Sequence, residues 1–215
     1  MEQGGRTRGR YAKTAERRAA VARAALDIVL EKGHRALTTA EVASRAGMGE
    51  TTLLYHFPSR DHVLVAAMEL SDEDFRTRAR AELLAAGLLD EDWGLGPARL
   101  ALGQDRTARL LLALEAEAPD PEHPAHEYLK RRNDGAVRRL AERVRLRQRE
   151  GRALPGLNPL GTARQILAAW TGLRAQWLID PSFDFPQEVA QAYRALTGEA
   201  AMEAKNKIQD LITTV

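Results

Sequence analysis

Apolar residues in this chain recur at three- and four-residue spacing and almost never alternate with polar ones. Val21, Ala25 and Ile28 run beside Ala22, Leu26 and Val29, the stripe that an amphipathic helix buries. Ala, Leu, Arg and Glu dominate while β-branched clusters are scarce, so the pattern predicts an all-α fold. Pro and Gly mark the breaks. A first helix is expected from Thr14 to Lys32, stopped by Gly33. A second begins after Thr38, where Thr38 and Glu41 form a T-x-x-E capping box and Leu37 and Val42 hold the positions of a hydrophobic staple. Gly47 ends it. A short third helix spans Glu50 to His56, and a long one starts near Arg60 with Ser59 as N-cap. The breaks "GLLDEDWGLGP", "APDPEHP", "EGRALPGLNP" and "DPSFDFP" then delimit helices of about 98–118, 125–150, 160–180 and 186–211, lengths that suit a helical bundle.

Composition narrows what such a fold can do. With no cysteine among 215 residues, disulfides, thiolate metal sites and a Cys nucleophile are excluded. The four serines sit in no nucleophile elbow, and no phosphate-cradling glycine loop appears, so no enzymatic apparatus, cofactor or resident metal is expected. The pair of histidines in "EHPAHE", His123 and His126, reads as a solvated helix start. No apolar run is long enough for a signal peptide or a membrane span, which places the chain in the cytoplasm with no membrane partner. Charge is uneven. Residues 1 to 18 hold Arg6, Arg8, Arg10, Lys13, Arg17 and Arg18 against Glu2 and Glu16, six minus two or +4, which leaves −2 of the net +2 for the rest. Residues 1–13 therefore read as a disordered basic arm that either solubilises the chain or meets a polyanion. The arginines of "RRLAERVRLRQREGR" share their helix with Glu142 and a buried Val137, Leu140, Ala141, Val144 face, and read as an ion-paired exterior.

The stretch "LTTAEVASRAGMGETTLLYHFPSRDHV" has the spacing of a helix-turn-helix, whose second helix enters the DNA major groove. It resembles the tetracycline-repressor (TetR) family of bacterial transcriptional regulators at Thr38-Thr39, Val42-Ala43, Ala46-Gly47-Met48, Thr52-Leu53, Tyr55, His56-Phe57 and Ser59-Arg60. Two positions depart from the family pattern: Leu54 stands where a Tyr is usual, and Gly49 where many members have Ser. The resemblance implies a helix-turn-helix domain over 14–60 and a ligand-binding and dimerisation bundle over 61–215. It implies a homodimeric, effector-released repressor of palindromic operator DNA. Thr39, Thr52, Tyr55, His56 and Arg60 are expected on phosphates, and Glu50 and Thr51 on base edges. Leu53 and Phe57 belong to the core.

In the bundle, Ile166, Trp170, Leu173 and Trp177 share one helix stripe, and Ala163, Leu167, Thr171 and Arg174 the opposite one. Such a stripe is usually core; the resemblance implies instead that one is interface and the other pocket, with Trp170 or Trp177 as the aromatic anchor if the first is the interface, and sequence does not say which. Phe75, Glu115, Gln165, Trp170 and Arg174 are the candidate effector contacts. The alternatives are a helical small-molecule-binding protein and an architectural DNA binder without an inducer.

Overall fold

A computed structural model describes residues 4–85 and 95–213 of the chain. Among these residues the regular structure is entirely helical. It comprises α1 (Gly4–Lys32), α2 (Thr39–Arg45), α3 (Glu50–His56), α4 (Arg60–Ala85), α5 (Leu95–Ala101), α6 (Asp105–Glu117), α7 (Ala125–Arg149), α8 (Pro159–Ile179), α9 (Phe185–Thr197) and α10 (Glu199–Thr213), with a 3-10 turn at His34–Ala36. The all-α expectation, a helix-turn-helix domain followed by a helical bundle, holds. The break expected over 87–97 falls, in its 87–94 part, outside the described residues.

Three boundaries differ from those expected. Helix α1 begins at Gly4, so the stretch from residue 4 to residue 13, expected as a disordered arm, is the first part of a helix; its arginines, alanine and lysine are good helix formers, and no proline interrupts them. The helix expected over 98–118 is two, α5 and α6, parted around Gly103. The helix expected over 186–211 is also two. Gly198, at φ 66°, caps α9 in the left-handed conformation, and a Cβ there would lie 2.3 Å from Leu154 Cδ1. The amphipathic period continues through this residue, which hides the break from a reading based on spacing.

The chain divides into two compact units, one of residues 1–79 with 104–129 and one of residues 80–103 with 130–215. The division falls inside α4 rather than at its start, because Val63, Leu64, Ala67 and Met68 of its first half join the first unit's core. That core gathers Val21, Ala25, Ile28 and Val29 of α1, Leu37, Val42, Leu53 and Phe57, and Leu110, Leu111 and Leu114 of α6. Each fully buried large side chain contributes roughly 1.5–3 kcal/mol. The second unit has two smaller clusters. Leu140, Ala141 and Val144 of α7 meet Ala163 and Ile166 of α8 and Tyr193 of α9, while Ala98, Phe185 and Val189 gather Trp170, Leu173 and Trp177.

Candidate nucleic-acid interface

Local sequence builds the α2–turn–α3 corner. Thr38 Oγ1 accepts from Glu41 N at 3.2 Å, half of the expected capping box. The returning half is absent, because the Glu41 carboxylate accepts from Lys32 Nζ at 2.7 Å and from Arg45 at 2.9 Å. Leu37 and Val42, the staple pair, are both buried. Arg45 is also bidentate on Glu31 at 2.8 Å. These pairs clamp α2 to the end of α1, and they hold both carboxyls below their ordinary range, Glu31 chiefly through Arg45 and Glu41 chiefly through Lys32. After α2 the chain reverses at Gly47, φ 69°, where Met48 N donates to Ala43 O at 3.0 Å. A residue with a Cβ is strained at that φ.

On α3, Leu53 is fully buried and Phe57 follows it into the core. The three- and four-residue spacing then turns Glu50, Thr51, Leu54 and Tyr55 outward, all exposed, with Thr52 and His56 half-buried at the flanks. Tyr55 is 84% exposed, too open for an aromatic that serves packing, and its ring meets only the edge of His56 at 5.2 Å. Two contacts fix the pitch of this helix. At its start, Thr39 Oγ1 donates to Glu50 Oε1 at 2.5 Å. At its end, Arg18 Nη1 donates to His56 O at 2.8 Å while its guanidinium lies 4.4 Å from the centroid of Phe57. Sequence reveals Arg18 only as charge; a cation at a helix C-terminus, favourable to the dipole, depends on a partner 38 residues away. Leu54, read as a missing hydroxyl, adds an exposed apolar group to the outward face.

Arg60 is placed otherwise than its expected phosphate role suggests. Its Nε donates to Leu37 O at 3.0 Å and Nη2 to His34 O at 2.5 Å, and Nη1 lies 3.8 Å from Asp61 Oδ1. The guanidinium thus ties the 3-10 turn to the start of α4. Nearby, burial and the cations of Arg35 and Arg60 push the His34 imidazole below its ordinary pKa. His123 and His126 serve the first unit. His123 Nε2 is 3.7 Å from Asp61 Oδ2, and His126 Nδ1 is 2.9 Å from Ala118 O.

The candidate effector residues fall in both units. Phe75 and Glu115 are half-buried in the first. In the second, Trp170 packs edge-on against Phe185 at 5.5 Å, and Arg174, one turn on along α8, is buried. Gln165 is exposed. Both stripes of α8 are packed within the unit: Ile166 with Ala163 and Leu167 in one cluster, Trp170, Leu173 and Trp177 in the other. The tryptophans expected as interface anchors pack, partly buried, against Phe185 of the same unit. What α8 leaves open is a third face of Gln165, Ala168, Ala169, Gly172, Ala175, Gln176 and Ile179, exposed or half-exposed and without a charge.

The domain is a helix-turn-helix head whose second helix presents a polar and apolar face to solvent. Residues 21–67 match the family model for bacterial regulatory proteins, tetR family. Solved structures of similar fold include a TetR-family transcriptional regulator from Rhodococcus sp., 25% identical over 85% of this chain and 99% of that one, TM-score 0.60. FadR of Thermus thermophilus, a TetR-family repressor solved with lauroyl-CoA, is 22% identical over 83% and 92%, TM-score 0.62. A TetR regulator from Haloarcula marismortui is 15% identical over 86% and 97%, TM-score 0.68. No curated protein gives a significant match. Residues 21–67 thus carry the helix-turn-helix head of the tetR family, and the described fold is similar to those of TetR-family regulators. Among the described residues no helix is long and apolar enough to cross a membrane.

Proposed function

We propose that the protein is a homodimeric, effector-responsive transcriptional repressor of the cytoplasm that reads a pseudo-palindromic operator through α3. The observation that carries this is the outward face of α3, Glu50, Thr51, Leu54 and Tyr55, on a corner whose other side chains are committed to core and clamps. Glu50 has one carboxylate oxygen taken by Thr39 and one left to accept from a cytosine amine. Thr51 and Leu54 suit a thymine methyl. Tyr55, Thr52 and His56 flank them as donors to phosphate. Thr39 reaches phosphate only by releasing its single hydroxyl proton from Glu50, and Arg60 positions the corner rather than meeting DNA.

Two copies supply enough contacts for a specific site. The uncharged α8 face is the proposed dimer surface: on a chain in which 29% of residues are charged, more than three exposed turns without one suit burial, and its Ala and Gly allow close helix approach. Effector response is supported by FadR, of similar fold, which holds lauroyl-CoA; here Trp170 and Arg174, both of the second unit, are the proposed contacts. Selection of bound duplexes from a random pool tests the reading. A two-fold repeat of one half-site is expected. Retention without an enriched sequence would make the protein an architectural binder, and no retention would remove DNA as its partner.

A further inference from the structure

The exposed stretch of α1 over residues 12–20 is unexplained by packing. From residue 12 onward burial on this helix begins at Val21, and residues 12–20 are exposed but for a half-buried Thr14, so more than two turns are held as helix without a core beneath them. Their basic residues are not scattered. Arg6, Arg10, Lys13 and Arg17 fall at i, i+4, i+7 and i+11 of α1, which at 3.6 residues per turn places all four within about 60° of one another around the axis. Glu16 is one residue, and so ~100°, away from Arg17. Lys13 and Arg17 have no ion-pair partner among the described residues.

The lower end of this register adjoins the reading head. Arg17 lines, with Glu16 and Ala20, a groove of about 440 Å³ whose other wall is Ala46, Gly47, Met48, Gly49 and Thr52, the turn and the start of α3. One residue further, Arg18 is bound to the C-terminal carbonyl of the same α3. The helix that carries the basic register is thus fixed to the helix that reads bases, and its charges lead away from that edge. From Arg6 to Arg17 the rise is ~16 Å, close to the axial rise of about five base pairs at roughly 3.4 Å each.

We propose that Arg6, Arg10, Lys13 and Arg17 form a phosphate-tracking rail, which extends the reach of each protomer along the DNA backbone beside the half-site and adds affinity without adding sequence preference. The occupant is duplex DNA because the rail is cationic, spaced along a line and continuous with the wall of α3; the inference rests on the DNA-reading role proposed above and is tested separately from it.

The full-length chain and its R6A/R10A/K13A/R17A variant are titrated across a salt series on the selected operator and on random duplex. Removing one cation from a phosphate reduces the slope of log K against log salt by about 0.9, so the variant is expected to fall short of the wild-type slope by about 3 to 4 per protomer on both duplexes, with the selected consensus unchanged. The R6K/R10K/R17K variant, which keeps the charges, is expected to hold the wild-type slope. An unchanged slope in the alanine variant overturns the rail, and an equal reduction in the lysine variant overturns it too, since charge would then not be the cause. Binding of the wild type to phosphatidylglycerol vesicles, abolished in the alanine variant while its DNA slope stands, assigns the charges to a membrane surface and overturns the proposal. If the wild type shows no sequence preference but the alanine variant still has the shallower slope, the rail stands and the operator reading falls. Failure of the wild type to bind any duplex overturns both.

Discussion

Two carbonyl oxygens, those of Leu37 and His34, occupy the guanidinium of Arg60, and this changes what its removal does. Charged hydrogen bonds contribute about 1.5–3 kcal/mol when buried, less at a half-exposed site. Arg60→Ala is therefore expected to cost about 1–2 kcal/mol of stability and to leave the salt slope of DNA binding unchanged. Urea melts and a salt titration check the two halves. His34, beside it, carries a pH dependence. Its folded pKa lies below the ordinary 6.5, so as pH falls through 6.5 the unfolded chain takes up a proton that the folded chain refuses, and stability declines until the folded pKa is passed. The clamp carboxylates Glu31 and Glu41, also depressed in the fold but from 4.5, give up their contribution only at lower pH. Melting temperatures between about pH 7.5 and 5.5 should fall in the wild type and flatten in His34→Gln.

At the scale of elements, what depends on neighbours in sequence is legible and what depends on distant partners is not. Thr38, Leu37, Val42, Gly47 and Ser59 announce α2, the turn and α4 because a cap, a staple or a left-handed turn is built from residues within a few positions. The outward set on α3 follows from Leu53 and Phe57 facing in. Sequence shows Arg60 and Arg18 as charge alone, since the carbonyls they bind come from 23 to 38 residues away. The stripes of α8 are two-valued in sequence for the same reason: only the fold brings Phe185 against Trp170 and Trp177. Gly198 is visible yet masked by a period that continues across it. The open α8 face makes its own prediction. A carboxylate at its centre, in Ala168→Glu or Gly172→Glu, meets its own copy across a two-fold axis. Each variant should sediment as a folded monomer with operator affinity reduced at least about tenfold, and dimers of unchanged stability would move the interface elsewhere.

For the molecule as a whole, a repressor released by an effector must couple two bindings, and the coupling is reciprocal. A compound that favours the DNA-incompetent state raises the melting temperature of the free protein and weakens operator binding together. Apolar acyl and planar compounds screened by melting should yield hits that do both, and Arg174→Ala should diminish both effects in parallel. Hits that stabilise without releasing DNA would count against induction. The claim beneath all of this is that α3 reads bases through its exposed face. The most direct measurement is the affinity of wild type, Glu50→Ala and Thr51→Ala for every single-base change in the selected operator. Base contacts are worth about 1–3 kcal/mol of discrimination each, so each variant is expected to lose preference at one position per half-site, the same in both halves, with the other positions untouched. A uniform loss of affinity at every position, or none at any, would contradict the assignment of α3 as the reading helix.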